Sequence, residues 1–421
     1  MRLDIQPGLA GFFGEEEKIG ITHIAAKHGK ETSVLRIWLK FAVLVSGVIL
    51  LSLLSVSLWR DKQEEPAETP PIVIRDGMTI GDFGRENGLP GELLKKAFGL
   101  RPGDDLEKKL ERLGLSGAEL TARAGRARAL AAEYKAKNWF KIPLKFALWI
   151  LFLSGVYVLM RRNRITPGLR RGLYLISLSL FGIVLGADPG PMGTIKDAIV
   201  LYGEKKVVFP PRMIALAGFL LLAVAANKFI CSWGCQVGTL QDLIFRLNRN
   251  GRDTSGILRQ YRAPFVWTNA FRIAFFMVFT FAALVWAADL FEAIDPFKIY
   301  KPAVIGIWGG VFIGLLLIAS LFIYRPWCHL FCPFGLAGWL AEKISLFKIR
   351  VNYDTCIACR ACEKACPSTV MGAILKRDRV IPDCFACGSC IAICPTKSIS
   401  LTAGKRDLPP AGKFAEPAGR S

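Results

Sequence analysis

The stretches CIACRACEKACP, Cys356 to Pro367, and CFACGSCIAICP, Cys384 to Pro395, are two copies of one pattern, C-x-x-C-x-x-C-x-x-x-C-P. This spacing lets a tight loop wrap three thiolates around one face of a cubane cluster and send the fourth elsewhere. Iron in a 4Fe-4S cluster is soft and takes thiolate sulfur, and a cube with four iron corners needs four such ligands. Because the motif is doubled, the halves can exchange ligands. One cluster is expected on Cys356, Cys359, Cys362 and Cys394, the other on Cys384, Cys387, Cys390 and Cys366. Pro367 and Pro395 then turn the chain away after each crossing ligand. Ile357, Ile374, Phe385, Ile391 and Ile393 are expected to form the apolar wall around the two sites. Zinc is the competing reading, since paired C-x-x-C also binds zinc, but zinc sites seldom use two tandem quartets each ending in proline.

The segment resembles a bacterial two-cluster ferredoxin domain, which implies a small α+β unit over 350–403 and leaves 404–421 as a flexible tail. The remainder is a different kind of sequence. Hydrophobic residues make up 52% of the 421, mean hydropathy is +0.36, and several apolar runs are long enough to cross a bilayer core of about 30 Å. The expected fold is a mainly α membrane protein of about six transmembrane helices, with the small ferredoxin domain and a small helical extracytoplasmic domain.

The net charge of +21 raises the question of nucleic acid. The basic residues cluster beside apolar runs, as in MRRNRITPGLRRG, Met160 to Gly172, and FRLNRNGRDTSGILRQYR, Phe245 to Arg262, which is the positive-inside pattern. No aromatic-basic interleaving of the kind that single strands need is present, so no nucleic-acid partner is expected. The twelve cysteines lie in cluster-type or C-x-x-x-C spacings and are expected to be reduced and metal-facing rather than in disulfides.

In chain order, 1–33 is a cytoplasmic N-terminal segment with surface histidines His23 and His28, and 34–59 is an uncleaved first span. A Pro/Glu linker, EEPAETPP, opens a helical periplasmic domain over 60–138, with helical patterns at Gly91 to Phe98 and Asp104 to Leu113. Further spans are expected at about Phe140–Leu159, Leu173–Gly186, Met213–Phe229, Ala270–Ala288 and Val304–Tyr324, within a membrane region of 139–349. Arginine-rich loops inside put the ferredoxin in the cytoplasm. A weak internal repeat is visible: Asp188-Pro189, a span and CSWGC precede Asp295-Pro296, a span and CHLFCP. The Asp-Pro pairs are read as turns.

Cys231 and Cys235, like Cys328 and Cys332, stand four apart, and if each pair begins a helical turn its sulfurs share one face. Both pairs end inward-going spans, so four thiolates can meet near the cytoplasmic surface and hold a third metal or redox centre. Packing cysteines at helix ends are the bland alternative. Lys228 and Arg272 would offset the negative charge of such a centre, or simply snorkel to the surface. His329 is the only histidine near a span and no C-x-x-C-H occurs, so no haem is expected.

Several spans, two C-x-x-x-C motifs and a cytoplasmic two-cluster ferredoxin together resemble the NapH/NosR-type membrane ferredoxins over about Phe140 to Leu401. Proline usually follows each C-x-x-x-C in that family; Pro333 does so here, but Gln236 replaces the first, so that loop is expected to turn differently. The resemblance implies a multi-pass protein of the inner membrane that passes electrons between the quinone pool, or a redox protein partner, and cytoplasmic 4Fe-4S clusters, as a subunit of a quinol-linked oxidoreductase system. The alternative is a maturation or regulatory protein that supplies electrons for metal reduction, copper for example, or senses redox state.

Overall fold

The computed structural model describes residues 15–59, 72–75, 77–101 and 106–414. Among these, three helices are long and apolar enough to cross a membrane: Thr32–Ser57, Lys141–Arg161 and Phe265–Trp286. At a rise of about 1.5 Å per residue, even the shortest of them reaches about 30 Å. The helices Pro210–Ala226 and Ile307–Phe322 are apolar but shorter. They too turn apolar side chains outward, Ile214 and Ile307 being 73% and 84% exposed. The charged side chains of Lys145, Arg170, Lys228, Arg272 and Arg325 are instead fully buried. Apolar outside and paired charge inside is the distribution that a hydrocarbon solvent favours.

The remaining expected span, Leu173–Gly186, is built differently. Thr166 caps the helix Pro167–Ser177, which continues as a π-helical turn, Leu178–Val184. Tyr174, Leu178 and Phe181 are buried while Leu175, Ile176 and Val184 are exposed, so this segment packs one face on the bundle and turns an apolar face outward. The first helix starts at Glu15, well before the apolar run that marked it in the sequence. The side chains of His23 and His28, and the EEPAETPP linker, lie outside the described residues.

Residues 78–127 form their own small core, with Ile80, Phe83, Leu94 and Ala124 at its centre. Helices Ile80–Glu86 and Gly91–Phe98 are joined to Gly117–Ala136, whose first turn is closed by a capping box between Ser116 and Glu119. Where a helix was expected at 104–113, the described part is a short 3-10 turn, Leu110–Leu113, ended by the left-handed Gly114. The far end of the long helix docks on the membrane bundle, with Tyr134 4.9 Å from Phe209 and Glu133 3.0 Å from Arg212.

The internal repeat extends to backbone detail. Helices Pro210–Ala226, Phe229–Trp233 and Gln236–Leu247 are matched by Ile307–Phe322, Pro326–Leu330 and Pro333–Lys343, each start displaced by 97 residues (307−210, 326−229, 333−236). Beyond them, antiparallel strands Phe347–Val351 and Ile399–Ala403 close the ferredoxin domain, with Ile349 opposite Leu401. Of the expected tail, 404–414 folds back: Asp407 pairs with Arg350 at 2.8 Å and Phe414 packs on Tyr353.

Candidate metal centres

The two ferredoxin motifs share one backbone path. Ala358 and Arg360 in the first, and Ala386 and Gly388 in the second, take positive φ at equivalent places, 28 residues apart (386−358, 388−360). Left-handed residues inside a short cysteine loop curl the chain around a point, and three of the four are not glycine, so the curl is held against a local cost. Cys356, Cys359, Cys362 and Cys394 line one cavity together with Ile357, Arg360, Leu375 and Phe414. Burial pushes the Cys362 thiol up to about 12, and Cys394, Cys356 and Cys359 add to the shift. Burial likewise raises Cys390, with Cys366, Cys387 and Cys384 as its thiol neighbours. Thiols crowded out of water in this way ionise only when a cationic centre replaces their protons, which is the chemistry of a thiolate-held metal. Cys362, from the other motif, also bears on Cys390, so the two cysteine groups lie close to one another.

Among the described residues, no three His, Cys, Asp or Glu side chains converge on a point suited to a single metal ion. A cubane spreads its thiolates over separate iron corners and requires a wider ring than one tetrahedral ion. Of the expected apolar wall, Ile374, Phe385 and Ile391 are buried, Ile393 is half-buried and Ile357 is 63% exposed. Ile357 lines the first cysteine cavity but leaves most of its own surface in solvent.

The membrane cysteines are all buried. Each pair straddles a helix break instead of sharing one helical face: Cys231 and Cys328 sit in five-residue helices, while Cys235 and Cys332 each stand at the N-cap of the next helix. The N–H of Gly335 donates to the Cys332 sulfur at 3.3 Å, and that of Gly238 does the same for Cys235. Helix N-termini favour anionic sulfur.

Each half of the repeat clamps the other. Arg325 of the second half donates to the carbonyl of Cys231 at 2.8 Å and Lys228 of the first to that of Gly335 at 2.6 Å, while Arg272, from the helix between the halves, donates to that of Cys328 at 3.1 Å. Gln236 does not alter the turn, since the helix after Cys235 starts in register with the one after Cys332. Its side-chain amide donates to the carbonyls of Phe181, Gly186 and Ala187, tying the loop to the π-helical turn.

A buried ionic layer lies between these loops and the ferredoxin. Asp383 accepts from Lys228 at 2.6 Å and Arg272 at 2.8 Å, with His329 Nδ1 at 3.4 Å. Asp242 pairs with Arg325 and Arg246 at 2.6 Å each, and Asp253 with Arg170 at 2.6 Å, with Arg249 at 3.4 Å and with Arg246. In these pairs six cations face three carboxylates, with the buried Glu342 as a further acid beside Lys228. Arg170 Nε and Nη2, Arg249 Nε and Arg272 Nε have no acceptor. Unpaired donors beside cysteine quartets suit anionic thiolate-bound centres.

Lys228 and Arg272, read from the sequence as counter-charges or snorkelling residues, therefore do neither alone: they hold Asp383. Asp295 caps its turn by accepting from Phe297 N–H and pairs with Lys196 at 3.3 Å, and Asp188 pairs with Lys301 at 3.5 Å, as turn residues at the end of the bundle opposite the ferredoxin. The sequence reading missed Asp242, Arg325 and Asp383, and gave Phe385 only a place in the apolar wall. The available signal was the 97-residue offset itself, which makes Arg325 the counterpart of Lys228 (325−228).

Comparison with known proteins agrees with this layout. A family model described as a 4Fe-4S dicluster domain matches residues 348–395, and one described as a 4Fe-4S binding domain matches twice, over 208–252 and 305–352, the two membrane cysteine loops. YccM of Escherichia coli K12, named for electron transport, is 30% identical over 40% of this chain and 49% of its own length. An uncharacterized protein of Methanocaldococcus jannaschii is 24% identical over 36% of the chain and 56% of its own length. The ferredoxin-type protein NapH of Escherichia coli K12 is 24% identical over 37% of the chain and 55% of its own length. The chain thus spans about half the length of the curated relatives it matches. No solved structure is a significant match. By these matches, the part of the chain that carries its cysteine loops is similar to NapH-like 4Fe-4S ferredoxin-type proteins.

Proposed function

We propose that the protein passes electrons between the membrane quinone pool, or a redox protein partner, and cytoplasmic 4Fe-4S centres. In this reading the crossed quartets hold two clusters, and Cys231, Cys235, Cys328 and Cys332 together hold a third. The observation that carries it is the mutual clamping of the two membrane loops, Arg325 to the Cys231 carbonyl and Lys228 to that of Gly335, with all four of their cysteines buried. The double match of a 4Fe-4S binding model to the same loops supports it. A 4Fe-4S cluster supplies reversible one-electron transfer.

The chain's own residues do the rest. The twelve cysteines provide thiolates, Gly238 and Gly335 N–H groups point at two of them, and the buried arginines keep the interior cationic enough to tolerate them. The apolar outer faces of the five lipid-type helices, with the half-exposed Pro167–Val184 segment as a sixth, support a bundle of about six crossings in the inner membrane, the ferredoxin on the cytoplasmic side. Anaerobic mixing of the oxidised protein with a reduced quinol analogue tests the reading. Bleaching of visible cluster absorption is expected; bleaching by dithionite but by no quinol would remove the quinone from the account.

A further inference from the structure

One loop of the ferredoxin domain is seated in the membrane bundle, and it belongs to the second quartet. Asp383 is fully buried among Lys228, Arg272 and His329. The N–H of Cys384 donates to Glu342 at 3.0 Å, and Trp233 donates to the carbonyl of Ala386 at 3.2 Å. Between them, the Phe385 ring lies 5.2 Å from Lys228 Nζ and 4.6 Å from Arg325 Cζ. Those two cations are equivalent residues of the repeat, 97 apart (325−228), so Phe385 sits where the two membrane cysteine loops meet. The remaining ligands of the quartet are held from the same side: Arg170 donates to Ser389 at 3.1 Å, between Cys387 and Cys390, and Arg249 donates to the carbonyl of Ala365 at 3.2 Å, beside Cys366.

Near the first quartet the corresponding tie is at an exposed edge, where Arg262 donates to the carbonyl of Lys364 at 2.9 Å. The cavity that its cysteines line is closed by Val351, Leu375, Ile399 and Phe414, all from its own side of the chain, and Cys359 is exposed.

We propose that the three cysteine quartets act in a fixed order, membrane, second, first, and that Phe385 is the positioning residue that sets the step between the membrane bundle and the ferredoxin. The inference rests on the reading above that the quartets hold clusters. Each transfer moves one electron, lost by one centre and gained by the next, with no bond made or broken and no proton required. A ring held between two cations is also a rigid spacer, because both contacts are desolvated and resist displacement.

Electron paramagnetic resonance of the fully reduced, full-length protein in detergent tests the order, because neighbouring paramagnetic centres split one another's lines steeply with proximity. The signal lost on Cys231→Ser with Cys328→Ser identifies the membrane centre. Its splitting is expected to collapse in Cys387→Ala and to persist in Cys359→Ala. Phe385→Ala is expected to keep the wild-type iron content but show weakened splitting, and Phe385→Tyr to restore it. Splitting that survives Cys387→Ala and collapses in Cys359→Ala overturns the order, and wild-type splitting in Phe385→Ala overturns the role of that ring. Iron near eight atoms per wild-type chain would mean that no membrane centre exists, and would overturn the reading beneath the proposal along with it.

Discussion

Gly238 and Gly335 occupy places where a side chain has no room: a Cβ would lie 2.4 Å from the Cys231 carbonyl oxygen in the first case and 2.5 Å from that of Cys328 in the second. Neither neighbour is a flexible side-chain end, so the backbone of the cysteine loop must move. Gly335→Ala is expected to cost about 1–3 kcal/mol through overpacking and to remove about four irons per chain while the ferredoxin sites stay filled. Unchanged iron content would show that the loop geometry is not needed for metal. Asp383 is a sharper case. Asp383→Ala leaves Lys228 and Arg272 buried without their carboxylate, and breaking a buried pair in this way costs about 3–5 kcal/mol. A fall in the thermal unfolding midpoint of the solubilised protein is the expected result. The cysteines were legible in the sequence because cluster ligands repeat at short, fixed spacings. Asp383 was not, because its partners lie 155 and 111 residues away and a buried ion pair leaves no local pattern.

The repeated cassette explains what the sequence showed only faintly. Two spans each followed by a cysteine pair were visible, but the helix break within each pair was not, because Cys-Ser-Trp-Gly-Cys and Cys-His-Leu-Phe-Cys read as continuous helix by periodicity. The break is set by hydrogen bonding: the N–H groups of both Gly234 and Cys235 reach back to the Ile230 carbonyl, as those of Phe331 and Cys332 do to Trp327. The departure at Gln236 has a similar resolution. Proline is tolerated in the first turn of a helix, and Gln236 occupies the position that Pro333 holds in the other copy. Gln236→Pro is therefore expected to leave the cysteine site able to bind iron while releasing the carbonyls of Phe181, Gly186 and Ala187. Hydrogen exchange should accelerate across 178–187, and loss of iron instead would show that the side chain supports the site itself. The π-helical turn had no sequence signature at all; its carbonyls are satisfied by residues far along the chain.

At the scale of the whole molecule, the ferredoxin and the helical unit over 78–136 stand at opposite ends of an apolar bundle, joined to it respectively by the buried ionic layer and by the contacts of Tyr134 and Glu133. If the bundle lies in a bilayer, reporter fusions after Pro66 and after Phe414 should give opposite activities, export-dependent at the first and cytoplasmic at the second. The same activity at both sites would contradict the arrangement. The central claim is that the four membrane cysteines form one metal site beneath the ferredoxin. Iron and acid-labile sulfide, measured per chain on anaerobically purified protein, test it most directly. The account predicts values near twelve of each for the wild type, from twelve cysteines grouped in fours, and near eight for the variant with Cys231, Cys235, Cys328 and Cys332 all replaced by Ser. Equal values in the two proteins would contradict it.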